Sequence, residues 1–223
     1  MNDSDLFHTI KTRLFTAVVG DVLDVLGYRH QFLPQEIKPL VPGTAMVGRA
    51  MTVLEASYPE GGRNGPLSDQ AFGLMFQALD DLQEGEIYIA AGNALDFATW
   101  GGLMSTRATH LKAAGAVVNG FHRDSAEIRN LGFPTFSRGS YAQDQGPRGK
   151  VLDWRLPVEI GGVAITDGDL IFGDDEGVLV IPRAVEAEAI ERALAKADTE
   201  NKVATAIKDG MSTVDAFATF GVM

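Results

Sequence analysis

Four residues near the middle of the chain offer complementary chemistry: Gly101 and Gly102, and then, after twenty intervening residues, the pair Arg123-Asp124. A glycine pair at a helix start leaves the first backbone amides unobstructed. Those amides have no intrahelical partner and the helix dipole adds partial positive charge, so a carboxylate can lie on the N–H groups of Gly102, Leu103 and Met104. The planar fork of Arg123 suits a carboxylate or a developing enolate oxygen. Asp124 is a hard oxygen ligand of the kind magnesium binds, with water and substrate oxygens filling the other positions. Taken singly, each residue has a plainer reading. Gly-Gly before a helix is usually a turn, Arg-Asp is usually a solvated pair or a cap, Glu127 is a surface i,i+4 partner of Arg123, and His122 is a packed or solvated imidazole. The chemistry requires that they converge.

Convergence is a matter of the elements that carry them. The residue pattern predicts a helix over 102–114, stopped at Gly115, and a strand over 116–120. About 12 helical residues climb roughly 18 Å, and about six extended residues return roughly 20 Å. Arg123 and Asp124 are therefore expected level with Gly101 and Gly102. Around this unit the pattern predicts a helix from Thr16 until Gly27, a strand over 46–55, a Gly/Pro loop over 59–66, a helix over 68–81, a strand over 86–91 and a loop over 92–100. A short helix is expected after Asp124. Strands follow over 158–160, 162–165, 169–173 and 178–181, with Gly161-Gly162 as a hairpin turn, and a long helix over 183–209. No internal repeat is present. This mixture predicts a single α/β domain over 1–223, with packed sheets and flanking helices.

Composition narrows the function. The chain has 223 residues, 45% hydrophobic and 22% charged, as expected of a globular protein rather than a disordered or fibrous one. Nineteen Lys and Arg against 30 Asp and Glu give a net charge of −11, which opposes general nucleic-acid binding. With no cysteine, thiol catalysis, Cys-ligated zinc, Fe–S clusters and disulfides are excluded. Residues 1–16 lack the apolar region of a signal peptide, and no apolar run reaches the roughly 18 residues of a membrane span. A cytoplasmic protein without membrane or nucleic-acid partners is expected.

Trp100-Gly101-Gly102, twenty residues, then Arg123-Asp124-Ser125-Ala126-Glu127 resembles the G/D-X20-R-D-X2-E/D signature of the RraA-like family. Val19-Gly20-Asp21-Val22-Leu23-Asp24 resembles that family's first helix, and Pro42-Gly43-Thr44-Ala45 with Val47-Gly48-Arg49-Ala50 its first strand. The run from Gly168 to Val178 is similar to its C-terminal hairpin. The family comprises metal-dependent (class II) 4-hydroxy-4-methyl-2-oxoglutarate/4-carboxy-4-hydroxy-2-oxoadipate aldolases, which also decarboxylate oxaloacetate, and regulators of ribonuclease E activity.

The resemblance implies a swivelling β/β/α-type fold, assembled as homotrimers or homohexamers with sites between subunits. It implies a magnesium or manganese ion on Asp124, a 2-oxo acid substrate contacted by Arg123, and the pyruvyl carboxylate on the backbone from Gly101 and Gly102 to Leu103 and Met104. It also implies acids from a neighbouring subunit, for which Glu36 and Glu200 are the nearest matches, as helpers in proton transfer. Many aldolases of the family carry Asp where this chain has Gly102; Asp96 is the nearest acid that could replace it. The expected chemistry is cleavage to pyruvate without a lysine Schiff base, Lys112 facing away, or decarboxylation of oxaloacetate. The alternative is a non-catalytic regulator binding RNA-degradation proteins, and a third possibility a trimeric scaffold with a vestigial site. No GxGxG loop follows an early strand, so a nucleoside cofactor is not expected.

Overall fold

The computed structural model describes residues 2–58, 67–92 and 95–222. The loop expected over 59–66 lies outside the described residues, as do positions 93 and 94 of the loop expected over 92–100. Two helices open the chain, α1 (Asp3–Arg13) and α2 (Thr16–Val25). The first half continues through β1 (Lys38–Pro39), β2 (Met46–Ser57), α3 (Met75–Asp80), β3 (Glu86–Ala91), β4 (Ala98–Trp100), α4 (Gly102–His110), β5 (Gly115–Val118), β6 (Phe121–His122) and α5 (Ser125–Leu131). The second half comprises β7 (Thr135–Ser137), β8 (Gly149–Trp154), β9 (Val158–Ile160), β10 (Val163–Ile165), β11 (Leu170–Asp174), β12 (Gly177–Ile181), α6 (Glu186–Lys208) and α7 (Thr213–Phe220).

One sheet organises the mixed α/β fold, in the order β1-β7-β5-β3-β2-β11-β12, with β8 paired to the far half of β2. Strands β2, β3, β5 and β7 run parallel, whereas β11 and β12 form an antiparallel hairpin against β2. The two edges curl toward each other into a nearly closed barrel. Leu33 N–H donates to Val178 O at 2.9 Å, Val180 N–H to Gln31 O at 2.9 Å, and the Lys38 ammonium to Glu176 O at 2.7 Å.

Alternation along the strands separates the apolar residues into layers. Ala50, Ile87, Ile89, Val117, Phe136, Ile171 and Val180 point inward, where the β9–β10 hairpin brings Val158, Ile160, Val163 and Ile165 against them. On one outer flank, Val47, Leu170, Phe172 and Leu179 pack on α1, α2 and α6. On the other, Met51, Val53, Tyr88, Ala90, Ala116 and Val118 meet α3, α4 and α5. This second flank carries the candidate site.

Three predicted elements depart most from those observed, each for a packing reason. The helix expected over 102–114 stops at His110, because Lys112 takes a left-handed conformation (φ 60°) and Ala114 N–H already pairs with Glu86 O at 2.7 Å. Gly115 is therefore a strand residue rather than a helix stop; a Cβ there would lie 2.2 Å from Met46 Sδ. The helix expected over 68–81 is reduced to α3, since Leu74 N–H is drawn to Val151 O at 2.9 Å and Gly73 turns with φ +62°. The loop expected over 92–100 contains β4, paired in parallel with β6.

Candidate active site

The site grows from that β4–β6 pair. Ala98 stands opposite Phe121 and Trp100 opposite His122, so the residues that follow the two strands emerge side by side. Arg123 N–H donates to Trp100 O at 3.0 Å, and Gly102 N–H donates to Asp124 Oδ2 at 3.0 Å. The climb and return inferred from the sequence thus end where expected, although the helix is shorter. Trp100 fixes the start of α4. Its indole N–H donates to Ser105 Oγ at 2.7 Å, Ser105 Oγ donates to Gly101 O at 3.0 Å, and its rings lie between Tyr88 and Phe133, with centroids 5.1 and 5.8 Å away.

Both glycines are needed for close approach. A Cβ on Gly101 would lie 3.0 Å from Asp124 Oδ2, and one on Gly102 would lie 2.0 Å from Glu127 Oε2 and 3.2 Å from Asp124 Cβ. Glu127 is exposed, as a surface acid, but among the described residues Arg123 pairs with Asp124 and Asp144 rather than with it; its carboxylate reaches the space that a side chain at position 102 would fill. Asp124 itself adopts the left-handed conformation, φ 57° and ψ 38°, which is uncommon for a residue other than glycine and concentrates at functional sites. Because Asp124 uses the Gly102 N–H, the cradle left for a ligand carboxylate consists of the Leu103 and Met104 amides, which have no acceptor within the helix.

Arg123 is held from two sides. Its Nη1 lies 3.1 Å from Asp144 Oδ1 and its Nε lies 3.8 Å from Asp124 Oδ2. Arg123 and Asp124 open, with Gly101, Leu103 and Met104, into a cavity of about 420 Å³ walled by aromatic and aliphatic residues of α3 and α4. Five further polar residues line it that the sequence reasoning missed: Asp80, Thr99, Arg107, Asp144 and Gln145. Asp144 and Gln145 come from a loop with no periodic signal. Both Thr99 Oγ1 and Gln145 Nε2 are buried and, among the described residues, have no hydrogen-bond partner.

The other candidates lie elsewhere. Within one chain, Glu36 lines a separate cleft with Lys38, His122, Arg129 and Arg138. Glu200 sits on α6, 3.3 Å from Lys196 Nζ, and Asp96 is exposed and outside the cavity lining. His122 is packed, its Nδ1 2.7 Å from Ser137 Oγ and its Nε2 3.0 Å from Ser125 Oγ. Burial, reinforced by the Arg129 charge, lowers its pKa below the usual histidine value. Lys112 faces away at the far end of α4, paired with Glu84 at 3.2 Å. Among the described residues, no cluster of three or more His, Asp or Glu side chains could enclose a metal ion. One hard carboxylate on Asp124, facing an open cavity, is a donor set that fits magnesium or manganese held largely through water.

The family pattern described as RraA-like: Aldolase/RraA matches residues 16–180. A protein of Halalkalibacterium halodurans, provisionally named a 4-hydroxy-4-methyl-2-oxoglutarate aldolase, is 32% identical over 91% of this chain and 89% of its own. Protein DlpA of Legionella pneumophila is 32% identical over 90% of this chain, which spans only 31% of DlpA. Streptomyces coelicolor RraAS2, described as an unusual member of the RNase ES inhibitor RraA protein family, superposes with a TM-score of 0.76. The two share 25% identity, over 90% of this chain and 96% of RraAS2.

Proposed function

The chain belongs to the RraA-like, Aldolase/RraA family, and from that premise we propose that it is a lyase that releases pyruvate from 2-oxo acids. The observation that carries this reading is the junction of two strand ends. There Gly102 N–H meets Asp124 Oδ2 at 3.0 Å and Arg123 stands beside them at the cavity. In the proposed reaction a 4-hydroxy-2-oxo acid loses the proton of its C4 hydroxyl, the C3–C4 bond breaks, and C4 leaves as a carbonyl. The electron pair stays on the three-carbon fragment as a pyruvate enolate, which is then protonated at C3. In the decarboxylation variant, oxaloacetate loses CO2 and leaves the same enolate.

The residues divide the work by chemistry. The Leu103 and Met104 amides bind the substrate carboxylate. Arg123, aimed by Asp144, supplies a fixed cation where negative charge develops, and because it is already oriented it needs little reorganisation as the charge forms. Asp124 would hold the divalent cation, magnesium or manganese, which supplies Lewis-acid stabilisation of the 2-oxo oxygen when bound. Its left-handed backbone and its bond to Gly102 fix where the carboxylate sits. Glu36 and Glu200 enter this reading only as contributions from neighbouring copies in a homotrimer or homohexamer, where they would assist proton transfer.

The test is pyruvate release from oxaloacetate with added magnesium. Asp124→Asn preserves the acceptor for Gly102 N–H but removes the charge, so activity should fall at least 100-fold, on the order of one catalytic electrostatic contact, with the fold intact. Arg123→Lys should lose a comparable factor, since an ammonium cannot reproduce the fork. Unchanged rates in both would refute the proposal. A second reading, a regulator of RNA-degradation proteins, draws on the similarity to RraAS2 and on a net charge of −11 that suits basic partner segments. Capture of basic RNA-degradation proteins by a chain inactive in the pyruvate assay would favour it.

A further inference from the structure

The loop that carries Asp144 is fastened by an arginine with no part in the proposed reaction. Residues 143–148 run beside β4, where Asp144 bridges to Ala98, and lead into β8. Backbone contacts pin both ends: Ala98 N–H donates to Gln143 O at 2.8 Å, and Gly149 stands opposite Ser57 of β2. Between them Gln145 O accepts the N–H groups of Arg148 at 2.7 Å and Gly149 at 2.8 Å, which closes a turn. The Arg148 side chain folds back across that turn. Its Nη1 donates to Asp144 O at 2.9 Å. With the Gln143 amide oxygen turned toward the guanidinium, Nε and Nη2 donate to it at 3.1 and 3.0 Å. Arg49, Arg107 and Arg155 pair with carboxylates, whereas these bonds of Arg148 go to neutral oxygens of its own loop. A guanidinium holds its donors in one rigid plane, so a single fork fixes residues 143 and 144 together. The carboxylate so presented is tightly placed. Asp144 Oδ1 lies 3.1 Å from Arg123 Nη1, and Oδ2 lies against Gly146, where a Cβ would come within 3.0 Å.

We infer that Arg148 is a positioning residue of the site: by clasping residues 143 and 144 it sets the Asp144 carboxylate, and through it the direction of the Arg123 fork. The inference rests on the lyase reading and adds a residue to it. Neither Arg148 nor Gln143 lines the cavity, so both act at one remove. Arg123 stabilises developing charge only where it is already aimed, and a displacement of about 1 Å at a reacting centre can cost about 100-fold. Opening the clasp frees the middle of the loop, while the backbone bonds at its two ends do not involve the side chain of residue 148. The damage therefore falls on the aim of Arg123 rather than on the sheet. Because Arg123 meets charge that develops as the bond breaks, loss of aim lowers kcat more than it changes KM.

The experiment uses the full chain with added magnesium. It measures kcat and KM for pyruvate release from oxaloacetate, and exchange of the pyruvate methyl protons in deuterated water. Arg148→Met keeps an unbranched side chain without its donors. Its kcat should fall about tenfold with KM within about twofold of the parent, as for a contact made chiefly in the transition state. Asp144→Ala should show a loss of the same kind. The double variant decides the route: if Arg148 acts through Asp144, adding Arg148→Met to Asp144→Ala changes kcat by less than about twofold. Losses that multiply would overturn the inference, as would an Arg148→Met enzyme of parental kcat or one whose loss lies in KM alone. Gln143→Met removes the acceptor of two donors without changing charge, and it settles the matter if Arg148→Met fails to fold. It should lose about threefold in kcat, and that loss should vanish in the Asp144→Ala background; a loss that persists there overturns the inference. A parent with neither pyruvate release nor exchange overturns the lyase reading and this inference together. An active parent that Arg148→Met matches in every measurement overturns this inference alone.

Discussion

At the scale of single residues, the candidate site was legible where one continuous stretch of chain builds it. Gly101, Gly102, Arg123 and Asp124 belong to one strand–helix–strand passage, and the lengths of its parts fix where its ends meet. Thr99, Asp144 and Gln145 were not legible, because they reach the cavity through a short strand and an aperiodic loop whose path depends on tertiary contacts. Nor was Glu55. It sits on β2 with its Oε1 unpartnered among the described residues, and burial pushes its pKa up to about 8 from 4.5. The folded chain therefore keeps a proton that the unfolded chain releases near 4.5, so stability falls as pH rises across that window and levels off above about 8. The loss is at most about 1.4 kcal/mol per pH unit. Glu55→Gln, which cannot ionise, should remove this slope and be more stable than the parent at the upper end of the window. Urea unfolding of both proteins at the two ends checks it; parallel pH profiles would show that Glu55 carries no such penalty.

At the scale of elements, intrinsic pattern predicted most helices and strands, and tertiary packing adjusted their ends. Residues 68–74 have helical spacing, but their backbone is claimed by β8. The strand β4 spans three residues, too few for alternation to show, yet it aims Trp100 and the first turn of α4. The last helix, α7, carries a readable start signal: Ser212 Oγ accepts Asp215 N–H at 3.1 Å, a serine cap with an acid three residues on. The joint between β4 and α4 depends on Ser105, whose hydroxyl accepts from the Trp100 indole and donates to Gly101 O. Ser105→Ala leaves a buried indole N–H without its acceptor and should cost about 1–3 kcal/mol. Loosening of the amide cradle should lower pyruvate release as well. Denaturant unfolding alongside the oxaloacetate assay tests this; a variant of parental stability and rate would mean the joint is held by packing of the rings alone.

At the scale of the whole molecule, the order of strands was beyond the reach of a single sequence, since the same alternating segments can pair in several orders and only their joint burial selects one. Net charge and the apolar inventory were readable, and so was the absence of any long apolar helix; among the described residues none is long and apolar enough to cross a membrane. Two exposed apolar side chains, Phe76 at 58% and Leu103 at 85% exposure, line the cavity. The proposed trimer or hexamer should cover them. Sedimentation equilibrium should accordingly give three or six times the 23.9 kDa chain mass; a monomer would leave Glu36 and Glu200 without a route to the site. The β9–β10 hairpin inside the curled sheet has a further consequence. A stoppered barrel has no lumen in which to receive a guest, so diversification toward new substrates is confined to its outer staves. There α3 can be exchanged while the stopper keeps the vessel sealed.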